Sequence, residues 1–158
     1  IGAVLAAVLV GPAAGYIVIA IVLIVQALVF ADGGLSALGL NIINMGLVGA
    51  VGGYYVFRLL MKATGSRSQS VAAIAGVAAF ASLPMVAMAF AIEFAMGGTA
   101  DSLSLGAILW ALLTTHTLIG IGEGVITALV VGAVMSARPD LVYGAPSFTG
   151  RRAEEKIP

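Results

Sequence analysis

The sequence has no cysteine, one histidine and few charges, with Asp, Glu, Lys and Arg together making up 9% of its 158 residues. Without cysteine there is no disulfide, no thiolate metal site and no cysteine nucleophile, and the redox compartment stays open. The charges also cancel, seven Lys plus Arg against seven Asp plus Glu, so no global field draws in nucleic acid or an acidic partner. Catalytic signatures are missing too: there is no Walker A loop, no H-E-x-x-H and no G-x-S-x-G. Gly120-Ile-Gly-Glu-Gly lacks the spacing and the strand context of a dinucleotide fingerprint. Ser104 and His116 are twelve residues apart with no orienting carboxylate evident, which makes a poor dyad. The chain is not expected to be an enzyme, nor to hold a cofactor tightly.

What is abundant is apolar. Hydrophobic residues are 61% of the chain, where a soluble domain carries about 25% charged residues. This composition predicts an all-α, polytopic transmembrane helix bundle. The run from Ile1 to Phe30 is too long for one untilted span, and Gly11-Pro12 interrupts it, since proline lacks a backbone N–H. Ala13 to Phe30 reads as a nearly sufficient span, while Ile1 to Val10 reaches only roughly 15 Å, about half of a hydrocarbon core. A chain start at mid-membrane depth is costly, so further residues are expected upstream. Leu38 to Leu60 reads as a full span, followed by the loop Thr64 to Ser70. Val71 to Met96 is another, with Pro84 expected to kink it. Leu103 to Ala137 would be roughly 52 Å of ideal helix, so a break at Gly120, Gly122 or Gly124 or a steep tilt is expected. A short segment from Leu103 to Leu113 would lead into a span from Thr114 to Ser136. Residues 1–137 form the expected helical domain, and 138–158 a solvated, loose tail. No tandem repeat is evident.

Orientation follows from the cations. Arg58, Lys62 and Arg67 surround one loop, and Arg138, Arg151, Arg152 and Lys156 lie in the tail, whereas the loops around Asp32 and Asp101 hold none. The positive-inside rule then predicts a cytoplasmic carboxyl terminus.

Polar residues inside spans are costly to bury and are the places to look for function. Asn41 and Asn44, three apart, are expected on one helix face, to offer oxygens to a cation or to bond a neighbouring helix. His116 carries an imidazole suited to nickel, cobalt or zinc, yet one histidine makes no site, and a bond to a backbone or to a hydroxyl such as Thr114 is the alternative. Glu123 lies close to the same azimuth, roughly 10 Å along the helix, so the two could line one path without meeting at one ion. Flanked by Gly122 and Gly124, it could equally bond a closely approaching helix. Gln26 is a candidate cap for the backbone beside its turn, and Glu93 sits near the outer end of its span. Gly49-x-x-x-Gly53, Gly120-x-x-x-Gly124 and, more weakly, Ala3-x-x-x-Ala7 allow close helix contact.

Four strings, in this order, carry a resemblance: Val25-Gln-Ala-Leu-Val-Phe-Ala-Asp-Gly-Gly-Leu, Leu38-Gly-Leu-Asn-Ile-Ile-Asn-Met-Gly, His116-Thr-Leu-Ile-Gly-Ile-Gly-Glu-Gly-Val-Ile-Thr-Ala and Arg138-Pro-Asp-Leu. Together they resemble the CbiM/NikM family, the substrate-binding membrane (S) components of energy-coupling-factor transporters that import cobalt or nickel ions. The resemblance runs from Gly2 to about Leu141. It implies capture of a divalent ion, then reorientation driven by a transmembrane coupling (T) protein and two ATP-binding subunits, with a small accessory membrane subunit as a further partner. In the family the metal is held mainly by an extreme amino terminus starting Met-His-Ile and by a second histidine before the first half-helix; neither is in this sequence. The resemblance therefore carries over only a setting, in which Asn41, Asn44, His116, Glu123 and Gln26 surround the metal path. Ala3 and Ala7 are candidate surfaces for the coupling protein. The competing expectation is a structural or assembly subunit that transports nothing.

Overall fold

The computed structural model describes residues 2–98 and 104–146, and no strand occurs among them. Helix α1 covers Ala3–Val10. It ends at Gly11, whose φ of 94° suits glycine, and Pro12 opens α2 (Pro12–Val29) at the position where a missing N–H costs nothing. This turn lays α1 back against α2. Contact there is close because Gly15 has no side chain: a Cβ on it would lie 2.8 Å from the Ala7 Cα. Gly15, Ile19, Leu23 and Ala27 form the inward stripe of α2 at four-residue spacing, while Ile17, Ile21 and Leu28 face outward. Both faces are apolar, as expected where lipid is the solvent.

Helix α3 runs over Leu38–Ala63. Its middle, Ile42–Gly52, is a π-helix between two α-helical ends. Its buried residues are Asn44, Gly46, Gly49 and Ala50. After the loop and a 3₁₀ turn at Ser68–Ser70, helix α4 spans Val71–Gly97 and continues through Pro84. Helix α5 covers Leu105–Ala137, with the Ser104 hydroxyl accepting from the Ala107 N–H at its start. Four segments are long and apolar enough to cross a membrane: Pro12–Val29, Leu38–Ala63, Ser68–Gly97 and Leu105–Ala137.

Helix α5 corrects one expectation. It has no break at Gly120, Gly122 or Gly124 and is continuous over 33 residues. Gly120 and Gly124 serve packing, while Gly122 has nothing within 4 Å of its Cβ position. A Cβ on Gly124 would lie 2.9 Å from the Gly76 carbonyl oxygen, one on Gly76 would lie 2.7 Å from the Gly124 oxygen, and Gly120 faces the Phe80 oxygen at 3.0 Å. In a membrane, where lipid is as apolar as a side chain, such close approach is what holds helices together, and α4 with α5 is the largest helix pair. At about 50 Å the helix outruns a hydrocarbon core of about 30 Å, so tilt or protrusion replaces the expected break.

The chain after α5 corrects another. Following a 3₁₀ turn at Pro139–Leu141, residues 142–146 are not loose: Val142 and Ala145 are fully buried. The Tyr143 N–H donates to the Leu9 carbonyl at 3.1 Å and the Gly144 N–H to the Val8 carbonyl at 3.0 Å. They satisfy two of the carbonyls that the end of α1 leaves without helical partners. Gly144 sits so close to the Phe57 ring that a Cβ would be 2.7 Å away. The bundle thus extends beyond residue 137 to Pro146. The loop around Asp101, the expected start at Leu103, and Arg151, Arg152 and Lys156 lie outside the described residues.

Candidate functional site

Asn44 is 3% exposed, and its Nδ2 donates to Oε2 of Glu93 on α4 at 2.8 Å. Its Oδ1 is fully enclosed without a hydrogen-bond partner. Asn41 turns elsewhere: its Nδ2 reaches the Gly33 carbonyl at 3.4 Å and holds the preceding loop. The π-helical middle of α3, beginning just after Asn41, changes the angular step per residue, so the two amides are not equivalent positions on one α-helical face. They still border a common space. A cavity of about 180 Å³ is lined by Asn41, Asn44, Met45, Val86, Phe90, Leu112 and His116.

His116 lies on the inward side of α5. Its Nδ1 is 2.9 Å from the Leu112 carbonyl oxygen, one turn back. A carbonyl only accepts, so Nδ1 carries a proton, and in the neutral imidazole Nε2 is then the lone-pair donor. The hydroxyl of Thr114 is not its partner. His116 also borders a second cavity of about 180 Å³, shared with Ala3, Met45, Gly49, Ser82, Leu83, Val86, Ile119 and Glu123. Met45, Val86 and His116 are common to both spaces. His116 and Glu123 thus line one space at separate positions along α5.

Glu123 accepts a hydrogen bond from the Gly2 backbone N–H at 2.9 Å. The carboxylate therefore meets the start of α1, where unpaired amides and the positive end of the helix dipole favour an anion. Among the described residues no group of three His, Cys, Asp or Glu side chains could hold a metal.

The remaining candidates sit apart. Gln26 lines neither cavity, and its backbone carbonyl, not its side chain, accepts from Phe30 and Asp32 to close α2. Ala7 is fully buried against Gly15, and Ala3 faces Gly49 and the second cavity. Ala7 is thus occupied by packing inside the chain, while Ala3 is half-buried. At the opposite end from Asn41, Arg58 and Lys62 share a cavity of about 410 Å³ with Ser66, Gly144 and Pro146. The cations of α3 and the end of α5 are thereby gathered at one end of the bundle. Sequence reasoning passed over two participants. Glu93 stood out as polar but had no visible link to Asn44, 49 residues away. Gly76 went unmarked, although Ala72 four residues before it gives the same small-residue spacing as Ala3 and Ala7.

Residues 1–141 match the family described as cobalt uptake substrate-specific transmembrane region. A protein of Sorangium cellulosum named cobalt transport protein CbiM is 35% identical over 139 residues, covering 87% of this chain and 61% of that protein. A fused nickel transport protein NikMN of Rhodobacter capsulatus is 32% identical over 149 residues, covering 87% of this chain and 43% of that one. The chain thus spans roughly half the length of these relatives. A crystal structure described as a truncated transition metal transporter superposes with a TM-score of 0.70 at 32% identity, covering 87% of this chain and 67% of the other. With four membrane-crossing helices and a match over nearly its whole length, the chain belongs to the family of cobalt uptake substrate-specific transmembrane regions.

Proposed function

We propose that this chain is the substrate-binding membrane component of an ATP-driven energy-coupling-factor importer for divalent cobalt or nickel. The observation that carries the reading is the row of lone-pair donors along two adjoining cavities: Asn41, Asn44, His116 and Glu123. The family match and the names of the relatives supply the ion. His116, with Nδ1 tied to a carbonyl and Nε2 left as an acceptor, has the arrangement in which imidazoles usually ligate metals. Amide oxygens and an imidazole suit borderline ions such as Co²⁺ and Ni²⁺.

In this reading the principal ligands belong to the family's amino-terminal segment and its second histidine. The residues seen here form the surroundings through which the ion passes. Glu123 fixes the start of α1, so it positions whatever chain leads into that helix. The basic end bearing Arg58 and Lys62 faces the cytoplasm, with the carboxyl terminus on the same side. Chemical energy comes from separate ATP-binding subunits acting through a transmembrane coupling protein, with a small accessory membrane subunit completing the assembly.

The test is uptake of radiolabelled nickel and cobalt by cells expressing the complete gene with its partner subunits. Uptake of one or both ions is expected, and it should fall when His116 is replaced by Ala. No uptake of either ion would refute the proposal in favour of a non-transporting assembly subunit.

A further inference from the structure

We propose that the space between Asn44 and His116 is a weak transit subsite for a divalent transition-metal cation, held by the Asn44 side-chain oxygen and the His116 imidazole and oriented by Glu93. The proposal rests on the reading of the chain as a metal-handling membrane component and adds to it a particular place and donor set.

The first observation is the orphaned oxygen. Glu93 on α4 accepts from Nδ2 of Asn44. A carboxylate oxygen is an acceptor, so it selects the amino end of the amide and turns the carbonyl end away. That oxygen is enclosed and unpartnered, although Asn44 is 3% exposed. Buried polar atoms are nearly always paired, and the exceptions call for a ligand, an ion or a water. The second is the histidine across the cavity, whose proton sits on Nδ1 and whose Nε2 is therefore a lone-pair donor.

The space between them accepts a cation on chemical grounds. It measures about 180 Å³, and none of its lining residues is Lys or Arg. Asn41 adds a third side-chain donor, a second amide oxygen, at its edge, since its Nδ2 reaches the Gly33 carbonyl. One imidazole with amide oxygens is a borderline set that fits Co²⁺, Ni²⁺ or Zn²⁺ better than the all-oxygen shells of Mg²⁺ or Ca²⁺. It is also too poor in charged donors for tight binding, consistent with the lack of a three-ligand cluster among the described residues. Weakness serves transit, because a site on a path must let the ion leave. Since His116 also borders the cavity of Glu123, an ion can keep its imidazole while exchanging the oxygens of α3 for the carboxylate.

Glu93 in this scheme is a positioning residue. It has no need to touch the ion, only to hold the amide so that oxygen faces the cavity. Outer partners of this kind typically change metal affinity about 10–100-fold when removed.

The experiment uses the chain in nanodiscs, purified with a tag free of histidine and titrated with Co²⁺. His116 is the only histidine in the sequence, so a paramagnetically shifted imidazole signal reports on it without assignment. A shifted signal that saturates above micromolar Co²⁺ is expected. Asn44→Ala should weaken it at least tenfold, and Glu93→Gln, which lets the amide turn over, about 10–100-fold at unchanged thermal unfolding. If Asn44→Ala fails to fold, Glu93→Gln decides alone. No shifted imidazole signal, or a titration indifferent to both substitutions, would overturn the subsite and leave a water as the partner of Asn44. Failure of uptake in cells would instead strike at the transport reading, which these titrations do not measure.

Discussion

Gly76→Ala probes the force that holds α4 to α5. A Cβ on Gly76 would lie 2.7 Å from the Gly124 carbonyl oxygen and 2.9 Å from the Ala128 methyl, where ordinary contact begins at 3.4 Å. The helices would have to part by more than half an ångström, and a gap of that size along the remaining interface forfeits about a quarter of each dispersion contact. Overpacking of this kind costs about 1–3 kcal/mol. Against it stands a helix-propensity gain of up to about 1 kcal/mol for replacing glycine by alanine. The clash outweighs it, for a net loss of up to about 2 kcal/mol once the full gain is subtracted. Gly122, on the same helix as Gly124, is the control: nothing lies within 4 Å of its Cβ position, so Gly122→Ala should keep the propensity gain. The propensity gain is common to both, so the two variants should differ by the overpacking cost alone, about 1–3 kcal/mol. Reversible unfolding in mixed micelles, followed by circular dichroism at increasing SDS fraction, measures this difference. If Gly76→Ala proved as stable as Gly122→Ala, backbone contact between these helices could not be the source of their cohesion.

Three further outcomes follow from the same geometry. Glu123→Ala removes the acceptor for the Gly2 amide, so hydrogen exchange at the first amides of α1 should rise at least tenfold, since a bond to a charged group is worth about 1.5–3 kcal/mol; Glu123→Gln, which retains an oxygen, should show less, and equal exchange in all three proteins would sink the anchor. Gly144→Ala places a methyl 2.7 Å from the Phe57 ring and should destabilise the chain by about 1–3 kcal/mol, an effect that a loose tail would not produce. Ser104→Ala removes the cap of α5 at a cost of about 0.5–2 kcal/mol, visible as faster exchange at Ala107 while amides beyond Gly120 stay unchanged.

The spans were legible because bilayer thickness and proline chemistry act on residues close in sequence. Gly11-Pro12 divided the first apolar run at the observed turn, and the gathering of cations at one end could be counted from the chain. What escaped reading depends on distant partners. Gly120 and Gly124 carried two readings, a helix break and a close helix contact, and only Gly76 and Phe80 brought against them decide for contact. The segment after Arg138 looks solvated by composition, yet its amides find the carbonyls of Val8 and Leu9, more than 130 residues away. Asn44 invited two readings that excluded each other on paper. In space its two ends separate them, the amino end bonding a helix and the oxygen enclosed without a partner. Ala3 and Ala7 showed the spacing of a contact surface, but spacing cannot say whether the contact lies inside the chain or outside it.

The π-helical stretch of α3 has a bearing on how this protein can change length. Eleven residues wound more loosely than an α-helix hold slack: if one is lost, a turn can tighten to the α form while Asn41 and Arg58 keep their faces at either end. An α-helix has no such reserve, and one residue removed from α4 or α5 would swing everything beyond it by about 100°. Deletions scanned singly through all three helices, with folding read by a carboxyl-terminal fluorescent reporter, should be tolerated between residues 45 and 52 and nowhere in the Gly76 to Ala91 or Gly120 to Val131 stretches. Gains and losses of single residues during the divergence of such proteins would then accumulate in α3, beside the amide that faces the cavity.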